Sequence, residues 1–299
     1  MSFCAVDYRL QTPINLHAQF EIRGFTALLG HSGAGKTSLL KALAGLLPAT
    51  GTPWEGLTPE ARSTSYLPQN SALFPHLTVL ENVAYPLRGR DRFTKAQNLL
   101  DELGLGEFSS RPATALSGGQ AQRIALARAL ARGAKLLLLD EPSAALDATT
   151  RDSTLTWLID TVTARGIPAL AATHDPAIAG LADWLVLLAD NRVIQQGTPR
   201  QVFDNPQSVA AAELLGFENI WRENGFFYAI RISDIEVAAS GIPATIISAR
   251  EHGADLRLEC AMPHRIAALV KSGVKTEFPP GAPVFVQFAP GKLKRLTTN

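Results

Sequence analysis

The segment FTALLGHSGAGKTSLLKALAGLL, residues 25–47, decides the fold class. It opens on a short apolar run with strand character, passes through a glycine-rich loop, and continues with helical apolar spacing until Pro48 stops it. Gly30–Thr37 matches the G-x-x-x-x-G-K-[ST] pattern, and a strand before it with a helix after it is the context that gives the pattern a mechanism. Glycines let the backbone curl so that successive N–H groups converge on phosphate oxygens. The sequence therefore predicts a nucleotide site along Gly30, His31, Ser32, Gly33, Ala34, Gly35, Lys36, Thr37 and Ser38. Lys36 brings a positive charge to the β- and γ-phosphates, and the Thr37 hydroxyl is placed to ligate Mg²⁺.

The surrounding residues extend an α/β pattern with a parallel sheet to about residue 200. KLLLLD (Lys135 to Asp140) and PALAAT (Pro168 to Thr173) are continuous apolar runs, as expected of strands covered on both faces. WLVLLADNRVIQQG (Trp184 to Gly197) reads as a hairpin turning at Asp190-Asn191, expected at the sheet edge. In LLLLDEP the strand ends in two acids at the ligand crevice of an open α/β sheet. Asp140 is expected to hold the Mg²⁺ shell through water, and Glu141 to act as general base toward the attacking water.

Composition narrows the class. The chain has 299 residues, 46% of them apolar and 18% charged, with a formal net charge of +1, so no polyanion partner such as nucleic acid is expected. Its 2 cysteines, Cys4 and Cys260, lie far apart without a metal-binding pattern and read as thiols of a reducing compartment. No secretory signal is visible, and no apolar stretch reaches the ~18–20 residues of a membrane span, so a cytoplasmic chain is expected.

After a polar helical segment around Thr198–Gly216 the pattern changes. DLRLEC (Asp255 to Cys260) and PVFVQF (Pro283 to Phe288) alternate with period two, and glycines punctuate the region at turn-like intervals. Two domains are expected, an α/β domain over 1–217 and a small all-β barrel over 218–299.

LSGGQAQRIALARAL (Leu116 to Leu130) contains two adjacent glycines at the start of a strong helix, where glycine is costly. Small residues leave the first N–H groups of a helix bare for an anion. With GHSGAGKT, LLLLDEP, SAALD and THD in this order, the segment resembles the ATP-binding subunits of ATP-binding-cassette (ABC) transporters over about residues 1–200. The resemblance implies a P-loop cassette with a helical subdomain, working as a homodimer packed head to tail. Ser117, Gly118 and Gly119, with Gln120 beside them, would then clamp the γ-phosphate held by the other copy. It also implies that Gln69 senses Mg²⁺ and the attacking water, that His174 contacts the γ-phosphate, and that Asp147 reaches across the dimer interface. The segment Asn70–Val83 would touch the membrane partner. Tyr8 is a candidate for stacking on adenine, with a core or surface role equally open. The Pro48–Tyr66 stretch is shorter than the family's usual pattern, so the antiparallel edge is expected to be trimmed.

A separate cassette without membrane spans resembles bacterial importer ATPases, peripheral at the cytoplasmic face and served by permease subunits and, indirectly, a solute-binding protein. The C-terminal part resembles the oligonucleotide-binding (OB)-like regulatory barrel of that group. The likeness is strongest to molybdate and tungstate importers, with ferric iron, sulfate, polyamine or sugar as alternatives. Soluble ABC ATPases remain the alternative class, and an oxyanion sensor without enzyme activity a third.

Overall fold

The computed structural model describes residues 3–143, 148–253, 255–270 and 278–297. Two compact units follow one another, Met1–Val202 and Phe203–Asn299. In the second unit the guanidinium of Arg231 lies over the rings of both Phe203 (5.6 Å) and Phe217 (4.4 Å).

In the first unit the elements run β1 (Phe3–Leu10), β2 (Leu16–Arg23), β3 (Phe25–Leu29), α1 (Lys36–Leu43), β4 (Thr50–Thr52), β5 (Thr64–Leu67), α2 (Val79–Ala84), α3 (Arg92–Glu102), α4 (Gly118–Ala131), β6 (Leu136–Asp140), α5 (Ala148–Ala164), β7 (Ala169–Thr173), α6 (Pro176–Ala179), β8 (Trp184–Ala189) and β9 (Arg192–Gly197). Helix α7 (Pro199–Asp204) spans the division. The nine strands form one sheet in the order β4-β1-β2-β9-β8-β3-β7-β6-β5. Strands β8, β3, β7, β6 and β5 are mutually parallel. Every residue of β3, β6 and β7 is buried, as continuous apolar runs require.

One expectation about the sheet is corrected. The β8–β9 hairpin is interior: β8 pairs with β3, and β9 joins β2 through His17 and Arg192, which puts the antiparallel strands β1, β2 and β4 beyond it. Its turn is the one read from sequence, Asp190 and Asn191 both having positive φ (49° and 60°). The short Pro48–Tyr66 stretch still supplies an edge strand, β4, against β1. Close approach there depends on Gly51 (φ 138°), where a Cβ would lie 1.9 Å from the Asp7 carbonyl oxygen.

Helices α2, α3 and α4 pack on one another around Val79, Val83, Ala96, Leu100, Ile124 and Ala127, giving the helical subdomain its own apolar centre. The sheet core lies elsewhere, around Phe20, Leu28, Leu39, Leu43 and Leu138.

The second unit begins with α8 (Val209–Leu214) and is otherwise built from strands: β10 (Asn219–Glu223), β11 (Phe226–Ile230), β12 (Ile235–Ala238), β13 (Ile242–His252), β14 (Asp255–Ala261), β15 (Arg265–Val270), β16 (Pro283–Phe288) and β17 (Lys294–Leu296). A three-stranded sheet β10-β11-β17 accompanies an antiparallel five-stranded sheet β12-β16-β13-β14-β15. The end strands β12 and β15 approach each other, so the larger sheet curls toward a barrel. Leu258 and Cys260 face its core, as the alternation in β14 predicts.

Candidate nucleotide-binding site

The glycine loop is held at both ends by backbone. Gly30 N donates to Thr173 O of β7 (3.2 Å), and Leu39 N donates to Gly35 O (2.9 Å) as α1 begins. Gly35 has φ 93°, and a Cβ there would lie 2.6 Å from Leu16 Cδ1, so both conformation and space call for glycine. No side chain caps the start of α1. Its first N–H groups are therefore directed at whatever anion the loop receives.

Lys36 is almost buried, and its Nζ donates to the carbonyls of Gly30 (2.7 Å) and His31 (3.1 Å). Burial holds its pKa below the usual lysine value, against the opposing pull of Glu141 and Asp140. Thr37 Oγ1 donates to Asp140 Oδ1 at 3.0 Å, which ties the loop to the tip of β6.

Beyond Asp140 the chain turns sharply. Glu141 has φ 47°, in the left-handed region, while its N–H donates to Ala172 O (3.0 Å). The turn places the Glu141 carboxylate 3.7 Å from Lys36 Nζ and 3.0 Å from His174 Nδ1. His174 directly follows β7. The next residue, Asp175, accepts from Ala177 N (2.9 Å) and donates its own N–H to Thr173 Oγ1 (3.0 Å), fixing the backbone beside His174.

These groups converge on one cleft of about 480 Å³, lined by Ser32, Gly33, Gly35, Lys36, Thr37, Ser38, Gln69, Glu141 and His174, with Pro13 and Ile14 forming an apolar side. Gly30, His31 and Ala34 contribute through backbone, the Ala34 N–H closing a turn onto His31 O (3.2 Å). No motif pointed to Pro13 and Ile14. They lie in the connection between β1 and β2.

Tyr8 is corrected. Its side chain is 1% exposed and packed in the sheet core, and its hydroxyl donates to the Pro53 carbonyl, so no ring face is open to a base. Ser117, Gly118, Gly119 and Gln120 do not line this cleft. They form the start of α4, where Ser117 Oγ accepts from Gln120 N (3.3 Å) and Gln120 Oε1 accepts from Ser117 N (3.0 Å). This capping box explains the serine and the glutamine of the motif in one stroke. Asp147 lies outside the described residues.

Comparison with known proteins agrees with this geometry. The sequence profile of the ABC transporter family matches residues 15–144. An Fe(3+) ions import ATP-binding protein of Rhodococcus jostii is 38% identical over 232 residues, 73% of this chain and 67% of that protein. The chain belongs to the ABC transporter ATP-binding proteins. A molybdate/tungstate import ATP-binding protein of Pyrococcus horikoshii is 35% identical over 263 residues, covering 84% of this chain and 70% of that one. Among solved structures, an ABC transporter assigned to the metal-chelate type, in an inward-facing conformation, superposes with a TM-score of 0.60 at 27% identity, over 76% of this chain and 96% of that one.

This ABC protein is thus an ATPase that uses ATP with Mg²⁺. Oxygen donors suit that hard cation, and Thr37 Oγ1 and Asp140 Oδ1 already lie together at the loop. When bound there, Mg²⁺ would supply positive charge that offsets the negative charge of the phosphates.

A second cavity, about 770 Å³ and largely apolar, lies between the sheet edge and the helical subdomain, with Tyr66, Phe74, Tyr85, Arg88, Ala125 and Arg128 in its wall. The loop after Gln69 forms part of this wall and is gripped from two helices. Arg128 of α4 donates to the carbonyls of Ala72 (2.8 Å) and Ser71 (3.3 Å), while buried Asn82 of α2 accepts from Phe74 N (2.8 Å) and donates to Phe74 O (3.1 Å).

Proposed function

We propose that this protein is the ATP-hydrolysing subunit of an importer and works as a pair of copies, each supplying Ser117, Gly118 and Gly119 to the nucleotide held by the other. The observation that carries the reading is the split of the motifs. Lys36, Thr37, Gln69, Glu141 and His174 share one cleft, whereas the start of α4 lies outside it. Within the cleft, Lys36 binds phosphate, Glu141 takes the proton of the attacking water, and His174 steadies the γ-phosphate. Gln69 and Asp140 order the metal's water shell. Asp147 is assigned to the contact between copies. The adenine base rests on Pro13 and Ile14, the apolar side of the cleft.

The large apolar groove takes a segment of a membrane permease subunit, which suits a protein in which no described helix is long and apolar enough to cross a membrane. The protein then sits at the cytoplasmic face of the membrane, and a solute-binding protein acts on it only through the permease.

Molybdate or tungstate is the favoured solute. Its support is the extent of similarity: the match with the molybdate/tungstate relative covers 84% of this chain, against 73% for the ferric-iron relative. Ferric iron is the second reading.

A hybrid experiment tests the paired site. Ser117→Arg chains mixed with Lys36→Ala chains recover ATPase activity if one intact composite site forms, although each variant alone is inactive. Failure of the mixture to recover activity, with both variants folded and dimerising, removes the shared-site reading. Molybdenum and iron contents of cells lacking the gene identify the solute, the favoured reading requiring loss of molybdate-dependent accumulation.

A further inference from the structure

We propose that Tyr66 is a positioning residue for Asp140, fixing the plane of its carboxylate so that one oxygen is reserved for the metal side of the site. The proposal rests on the assignment of Asp140 to the metal's water shell.

Register places the two residues together. Strand β5 lies parallel to β6 with Tyr66 opposite Leu138, and Asp140 stands two residues further along β6. Side chains two apart on a strand share a face, so Tyr66 and Asp140 form a diagonal pair on the α1 side of the sheet. Both Tyr66 and Leu138 pack in the core on that side.

At this diagonal the Tyr66 hydroxyl donates to Asp140 Oδ2 at 2.9 Å, while Oδ1 accepts from Thr37 Oγ1 at 3.0 Å. Asp140 is 4% exposed, so its oxygens depend on protein donors rather than bulk water. Two donors on opposite oxygens determine the carboxylate plane. With Tyr66 occupying Oδ2, Oδ1 stays on the side of Thr37 and the phosphate loop.

Tyr66 suits this task chemically. An ordinary phenol titrates near 10, so the hydroxyl keeps its proton and remains a donor throughout the physiological range. Tyr8, the other tyrosine of the same core, directs its hydroxyl to the Pro53 carbonyl instead. A carboxylate partner distinguishes Tyr66. Without the hydroxyl, the buried Oδ2 loses its donor, and Thr37 alone holds the carboxylate, which no longer has a fixed plane.

Tyr66→Phe removes only the oxygen. The full-length ADP-loaded protein is titrated with Mn²⁺ and bound ion is read by electron paramagnetic resonance, alongside the Mg²⁺ concentration giving half-maximal ATPase activity and the affinity for ADP without metal. The variant is expected to bind Mn²⁺ about 10-fold more weakly and to need about 10-fold more Mg²⁺, with metal-free ADP affinity unchanged. Unchanged Mn²⁺ affinity and spectrum in the folded variant would overturn the proposal, as would an equal loss of metal-free ADP binding. Tyr66→Met, which keeps bulk without a hydroxyl, serves if the phenylalanine variant does not fold. Asp140→Asn separates the two readings: normal Mn²⁺ binding there means that the Asp140 assignment itself is wrong, whereas loss there with a normal Tyr66→Phe variant means that only the role of Tyr66 is.

Discussion

The left-handed backbone at Glu141 is where strain and chemistry coincide. A non-glycine residue in that region costs about 1 kcal/mol or more and persists only where its surroundings impose it. Here the Ala172 carbonyl and the partners of the side chain impose it, and the carboxylate is held between Lys36 and His174. Glu141→Gln keeps the shape and removes the proposed base. Its turnover is expected to fall by ~10²–10⁴ with ATP affinity retained, as measured by steady-state hydrolysis and nucleotide titration. The proposed adenine contact gives a second residue-level prediction: Ile14→Asp weakens ATP binding by about 10-fold, whereas Tyr8→Leu, which removes the ring, lowers thermal stability and leaves the affinity of the folded protein unchanged. Equal affinity losses in the two variants would return the base to Tyr8. The motif residues of the cleft were legible in the sequence because phosphate chemistry fixes their types and spacing. Pro13, Ile14 and Tyr66 were not, since their places depend on which strands become neighbours.

At the scale of elements, helix α4 carries two duties. Its first turn is the capped LSGGQ segment, and one side further along holds the loop after Gln69 through Arg128. Charged hydrogen bonds of this kind contribute about 1.5–3 kcal/mol each. Arg128→Ala is expected to lower the melting temperature and to speed amide exchange in residues 71–74, read by mass spectrometry; protection unchanged there would show that Asn82 alone suffices. In the second unit, the His264 ring stacks on Trp221 at 4.2 Å, and its buried Nε2 has no hydrogen-bond partner among the described residues. Burial depresses its pKa below 6.5, with Glu223 pulling the other way. The unfolded chain therefore takes up the proton more readily. Stability from this group is complete above about pH 6.5 and declines as pH falls toward the folded value. Melting followed by Trp221 fluorescence between pH 5 and 8 should show that decline, and His264→Phe should flatten it. The elements themselves were largely visible in hydrophobic periodicity, including the Asp190-Asn191 turn. The position of that hairpin was not, because local pattern says nothing about which distant strand supplies the neighbour.

Across the whole molecule, the nine-stranded sheet is assembled out of chain order. Strand β3 near the N-terminus takes both neighbours, β7 and β8, from well over a hundred residues downstream, and β2 waits for β9. By contrast, α2, α3 and α4 meet within a short span of chain and bury their own centre. During synthesis, then, the helical subdomain has its partners as it emerges, whereas the phosphate loop has no strand beside it until β7 and β8 leave the ribosome. The apolar strand ahead of the loop thus leaves the ribosome well over a hundred residues before the two strands that flank it.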